Sequence, residues 1–92
     1  MATKTTVSCG QYLDIQHAAE LKARLLKAVD KQPSQCVLTA NKVERVDSAG
    51  LQLIYAFMKE LDQMGTAVSW KQPTESLQTG AKLLGMTELL NL

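Results

Sequence analysis

Two kinds of hydrophobic spacing alternate along the chain. Residues 36–40 form a short and nearly continuous apolar run, which is typical of a strand buried inside a domain. Residues 48–64 follow a polar step, and their apolar positions recur every three or four residues, which predicts an amphipathic helix. The apolar stripe of this helix consists of Leu51, Ile54, Met58 and Leu61, and Phe57 and Met64 widen it.

The same criteria predict the remaining elements. Strands are expected over residues 4–8, 35–40 and 66–70, and Gly10 is expected to turn the first of them into residues 12–13 as an initial hairpin or bent edge strand. Asp14 is the expected cap of a helix over residues 15–31, and Thr74 caps a helix that ends at Gly85. Residues 86–92 form an apolar tail that must pack against the domain.

This order of strands and helices predicts an α/β fold. The loops are short, so we expect one small domain over residues 1–92, with a mixed sheet of about four strands and about three or more helices. The later strands should run parallel, joined by right-handed crossovers. The expected core consists of Leu21, Leu25, Val37, Leu38, Leu51, Ile54, Leu61, Val68 and Leu84.

Composition excludes several functional classes. Ten basic and nine acidic residues give a formal net charge of +1 without a basic cluster, which argues against nucleic-acid binding. No segment approaches the roughly 20 apolar residues of a membrane-spanning helix, and the N-terminus lacks a secretory signal, so we expect a cytoplasmic protein without direct membrane insertion. Cys9 and Cys36 could in principle pair, but in that compartment they are expected to be reduced and packed as small hydrophobes.

The polar step at residues 47–50 is the strongest candidate for a functional site. Asp47 and Ser48 can both accept hydrogen bonds from the free N–H groups of a first helical turn, where the helix dipole also tolerates negative charge. Ala49 and Gly50 place no bulky side chain at the helix start, so that a partner can approach the backbone closely. The residues alone favour a plain, tight strand-to-helix connection over a binding site.

Catalysis and cofactor binding find little support in the sequence. His17 lies near the start of the first predicted helix, without a matched nucleophile or base, which favours a capping or solvated role and argues against an enzyme. Gly50 alone is far from a phosphate-binding glycine loop, and two separate cysteines with one histidine lack metal-ligand spacing. We therefore expect no cofactor and no metal.

Residues 43–54, read together with the strand at residues 36–40 and the loop between them, resemble the STAS domain family. Gly65 before a strand and Gly85 before a final apolar segment are similarly placed. The best-known members of this family are the bacterial anti-sigma-factor antagonists. The resemblance implies a small α/β fold and a regulatory, non-enzymatic role in binding other proteins.

Ala49 departs from the pattern of the phosphorylated members. In those proteins the hydroxyl that accepts phosphate lies directly before the glycine, whereas here that position is alanine. Ser48 is then the candidate phosphorylation site. In this respect the motif looks more like that of the small cytoplasmic STAS subunits of lipid-trafficking ABC transporters. The implied partner is therefore an anti-sigma factor or kinase-like regulator or, as the alternative, an ABC transporter ATPase.

The resemblance places the partner-binding surface at the start of the motif helix and on its exposed side. The aromatic ring of Tyr55, two turns into that helix, is a candidate interface anchor. The expected partner-binding residues are Asp47, Ser48, Ala49, Gly50, Leu51 and Tyr55.

Overall fold

The computed structural model describes residues 3–92. Five strands occur over these residues: β1 (Lys4–Ser8), β2 (Tyr12–Leu13), β3 (Gln35–Thr39), β4 (Arg45–Val46) and β5 (Ala67–Lys71). Three α-helices accompany them: α1 (Ala18–Asp30), α2 (Ser48–Gln63) and α3 (Glu75–Leu83), with a short 3₁₀ turn at Ile15–His17 before α1. The predicted α/β fold and the three predicted helices are confirmed.

The strands form two parallel sheets. The larger sheet has the order β1-β3-β5, and the smaller one pairs β2 with β4. Of the two predicted alternatives for residues 4–13, the hairpin is wrong, because β1 pairs with β3 and β2 pairs with β4, and every described pair is parallel. The bent edge strand is the alternative that agrees with the structure, since β1 lies at the edge of the larger sheet. The predicted mixed sheet of about four strands is replaced by five strands in two sheets, and all the described pairs are parallel. Since β1 and β2 are separated by only a short bend at Gly10, the chain moves from one sheet to the other instead of folding back.

One face of the larger sheet carries the core. Leu38 and Cys36 of β3 point to this face and are fully buried beneath α1 and α2. Val37, between them in sequence, points to the opposite face and is half-buried. Val68 lies on the buried side but belongs to the outer strand β5, so it too is only half-buried.

The C-terminal segment supplies the last part of the core. Leu84 is 43% exposed, which contradicts its predicted place in the core. The helix ends at Leu83, so Leu84 is the capping residue and no longer continues the buried helical stripe. The chain then turns away at Gly85, which has a φ of +69°. Met86 and Leu90 are buried instead, and the Trp70 indole N–H donates to the Leu90 carbonyl at 2.7 Å. The predicted packing of the apolar tail is thus confirmed.

Both cysteines are buried free thiols, as predicted. Burial raises the pKa of Cys9 to about 12 and also raises the pKa of Cys36. Both side chains are therefore neutral at physiological pH and contribute to the core as small apolar groups.

Over residues 3–92, neither α2 nor any shorter helix combines the length and hydrophobicity that crossing a bilayer requires.

The burial pattern predicts which aliphatic side chains contribute most to the stability of the domain. Leu38→Ala or Ile54→Ala should each lower the free energy of unfolding by about 2–5 kcal/mol, because both side chains are fully buried and would leave a cavity. Leu83→Ala is the control, since this side chain is 81% exposed, and it should change stability by less than about 0.5 kcal/mol. Urea denaturation followed by circular dichroism measures all three, and midpoints equal to the parent for the two core variants would contradict the assignment.

Candidate functional site

The start of α2 is held by the carboxylate of Asp47. Asp47 has an extended backbone and caps the helix: its Oδ1 accepts a hydrogen bond from the Gly50 N–H at 2.9 Å. Its Oδ2 accepts from the Ile15 N–H at 3.0 Å. One side chain therefore joins the first turn of α2 to the 3₁₀ turn that precedes α1. Asp47 is a structural clamp beneath the site.

Gly50 brings these two segments into direct contact. A Cβ atom at this position would overlap the Leu13 carbonyl group, and it would also lie 2.8 Å from the Asp14 backbone nitrogen. The backbone of α2 thus packs against the end of β2 with no room for a side chain. The short β2-β4 sheet supports the same contact, because the Asp47 N–H donates to the Leu13 carbonyl at 2.9 Å.

A second carboxylate fixes the 3₁₀ turn itself. Asp14 Oδ1 accepts from the His17 backbone N–H at 3.1 Å and lies 2.7 Å from His17 Nδ1. The hydrogen bond from the His17 ring lowers the pKa of Asp14, and the backbone N–H of His17 adds to this effect against the opposing effect of burial. The capping role predicted for Asp14 is confirmed, but the capped element is the 3₁₀ turn, and α1 begins only at Ala18.

The predicted binding residues divide into a buried and an exposed group. Leu51 is fully buried in the core and Gly50 is buried against Leu13, so both influence the site only by fixing the position of the α2 backbone. Ser48 is exposed at the first position of α2, and Ala49 is half-buried beside it. Tyr55 is half-buried, and the Lys59 ammonium lies 5.8 Å from the centre of its ring.

Ser48 and Tyr55 lie on one side of α2. They are seven positions apart, which corresponds to about two helical turns or about 10 Å along the helix axis. Gln52 and Lys59 have the same spacing, and both are exposed. The accessible side of α2 is therefore a polar strip with one aromatic ring.

Ile15 is a part of this region that sequence reasoning missed. Its side chain is 68% exposed, although its backbone is tied to Asp47. The sequence placed Ile15 at the first position of the helix predicted over residues 15–31 and gave its side chain no role. Its exposure follows from the 3₁₀ turn, whose geometry was not visible in the apolar spacing.

Leu83 was missed in the same way. It is 81% exposed on α3 and lies near Val46, the residue directly before the motif. The two elements approach closely because Gly80 of α3 packs against the Val46 side chain.

Thr74, as predicted, caps α3 by accepting from the Leu77 N–H at 3.2 Å, and its hydroxyl donates to the Val43 carbonyl at 2.7 Å.

Among residues 3–92, no three histidine, cysteine, aspartate or glutamate side chains are grouped closely enough to hold a metal ion.

Comparison with known proteins assigns the domain to a family. The family model described as "Mlab, STAS domain" matches residues 3–91, so the chain belongs to the STAS domain family. STAS domains are typically non-catalytic modules that bind protein partners. The resemblance found in residues 43–54 is thereby confirmed. No curated protein matches the chain.

Two of the solved structures that match this chain illustrate the shared fold. One is the anti-sigma factor antagonist SpoIIAA in its unphosphorylated form, with a TM-score of 0.73, 15% sequence identity, and coverage of 97% of this chain and 79% of that one. The other is the protein TM1081, solved by NMR, with a TM-score of 0.73, 20% identity, and coverage of 92% and 69%. At these identities the likeness concerns the fold alone.

The close approach at Gly50 predicts an unusual response to alanine. In an ordinary helix Gly→Ala stabilises by about 1 kcal/mol, but Gly50→Ala should destabilise by about 3 kcal/mol or more, because the new methyl group meets a backbone carbonyl that cannot rotate away. Gly80→Ala is the matched control, since there the obstacle is the Val46 side chain, and its cost should be smaller. Urea denaturation gives both values, and equal stability of the two variants would refute the packing of Gly50.

The lowered pKa of Asp14 predicts a dependence of stability on pH. Since the folded-state pKa is below the ordinary value of 3.8, the ionised carboxylate stabilises the fold above that value, and the contribution is lost as the pH falls through the folded-state pKa. The difference in unfolding free energy between the parent and Asp14→Asn should therefore shrink between about pH 5 and about pH 2. The other carboxylates are common to both proteins, so a difference that stays constant over this range would contradict the assignment.

Proposed function

We propose that this chain is a cytoplasmic, non-enzymatic regulatory module that binds a protein partner at the start of α2. The observation that carries the proposal is an accessible hydroxyl, Ser48, on a helix start that is clamped from below by Asp47 and Gly50. A surface whose backbone is fixed before binding loses little conformational entropy when a partner docks on it. The family supports the same role, since STAS domains usually bind proteins.

The proposed surface combines a polar centre with an apolar border. Ser48 can donate and accept a hydrogen bond, Ala49 offers little bulk, and the exposed Ile15 supplies an aliphatic contact beside them. Tyr55 extends the surface two turns along α2. This arrangement fits the general anatomy of protein interfaces, in which a few apolar or aromatic anchors surround specific hydrogen bonds.

Two classes of partner fit this surface. An anti-sigma factor or kinase-like regulator is the partner implied by the likeness of the motif to signalling members. An ABC transporter ATPase is the alternative, and the description of the matching family model as an Mlab-type STAS domain favours it, together with alanine at position 49. We therefore place the transporter ATPase first among the partners to be tested.

Phosphorylation of Ser48 would control either complex by the same physics. A phosphate brings roughly −1.5 to −2 charges, which the start of a helix tolerates but a docked partner must desolvate. Ala49 has no hydroxyl, so the acceptor position used by phosphorylated members is lost. We expect Ser48 to be at most a weak acceptor, and any phosphate on it to release the partner.

Substitutions at Ser48 test the docking role directly. Ser48→Glu should weaken binding clearly more than Ser48→Ala, because the carboxylate must be buried against the partner, whereas alanine loses only one hydrogen bond of about 0.5–1.5 kcal/mol. Both variants should melt close to the parent, since Ser48 is exposed. Titration calorimetry against a purified transporter ATPase subunit and, separately, an anti-sigma factor kinase measures the binding.

Gln63→Glu is the matched control for charge. It adds the same negative charge on an exposed residue of the same helix, but about 22 Å away along the axis. Binding should be nearly unchanged in this variant. Equal binding by the parent, Ser48→Ala and Ser48→Glu would remove Ser48 from the interface and leave residues 47–50 as a structural turn.

A further inference from the structure

An apolar groove lies between α1 and α2 on the outer side of the helical layer. It encloses about 340 Å³. Leu26 of α1 lines it and is 53% exposed, and Val29 from the same helix is half-buried. From α2 the groove receives the half-buried Leu53 and the exposed Ala56. Apolar side chains from both helices therefore remain open to water along this groove.

The two walls of the groove carry opposite charges. Lys22 lies on the α1 wall and Glu60 on the α2 wall, and both are exposed. Neither takes part in a salt bridge within the part of the chain that the structure describes. The charges are thus available for pairing with another molecule that approaches the groove.

We propose that this groove is the contact between two copies of the chain. A twofold axis that passes midway between Lys22 and Glu60, perpendicular to the line joining them, brings each lysine against the glutamate of the second copy. The surface is therefore self-complementary, which is the requirement for an isologous dimer. The two Leu26 side chains are then covered by the apolar floor of the facing groove.

The charge pattern favours a second copy over other occupants. A lipid chain would leave both charges unpaired, and an unrelated protein helix would need its own matching acid and base. A second copy of this chain supplies both groups from the same sequence. The dimer contact and the docking role of Ser48 are tested with different residues, because Lys22, Leu26 and Glu60 line the groove and none of them belongs to the Ser48 surface.

Sedimentation velocity over a wide range of protein concentrations tests the proposal. The parent should shift from monomer to dimer as the concentration rises, and Leu26→Asp should raise the dissociation constant at least about tenfold by placing an unpaired charge in the groove. Leu83→Asp is the matched control, since it puts the same charge on a more exposed leucine of α3, and it should leave the dissociation constant unchanged. Circular dichroism checks that each variant is folded.

Charge reversal tests the geometry of the contact. Lys22→Glu and Glu60→Lys should each weaken the dimer, because each removes both reciprocal pairs and sets like charges against one another. The double variant should restore the parent dissociation constant, since the two charges have only exchanged places. A parent that stays monomeric at every concentration, which would leave the groove to a different occupant, overturns the proposal. A dimer that is insensitive to Leu26→Asp, or a double variant that is weaker than both single ones, also overturns it.

Discussion

The carboxylate of Asp47 is the interaction on which the organisation of the site depends. Its two oxygens bind the N–H groups of Gly50 and Ile15, which belong to segments far apart in sequence. Each bond satisfies a backbone donor that would otherwise be unpaired at a helix or turn start. The side chain is therefore both a helix cap and a tertiary link, and its loss would release the start of α2 from the 3₁₀ turn at Ile15.

Local chemistry in the sequence was sufficient to predict the helices. Thr74 precedes α3 and caps it, and the apolar spacing after Asp47 located α2 to within a residue at each end. These features depend on neighbours within one or two turns, which a sequence displays directly. The same reasoning identified the candidate site, since a polar cap before an apolar stripe marks a helix start whatever the fold around it.

Features that depend on distant partners could not be read in this way. At the Gly10 bend the sequence left a hairpin and a bent edge strand both open, because nothing near it indicates that β1 would pair with β3 and β2 with β4. Leu84 fitted the stripe of α3, but the turn at Gly85 gave its place to Met86. The contact between Gly50 and Leu13, and the exposure of Ile15, arise from packing between segments that the sequence does not show to be adjacent.

In the part of the chain that the structure describes, β1 and β5 are the outer strands of the larger sheet, and each has one edge without a strand partner. An unpaired edge offers its backbone N–H and C=O groups to any extended peptide, which is how aggregation and fibril growth begin. Both outer strands have only five residues, and each carries a lysine at one end, Lys4 in β1 and Lys71 in β5. A short strand that carries a charge repelling an identical strand is a poor template for further strand pairing, so these two edges resist growth of the sheet from one molecule to the next.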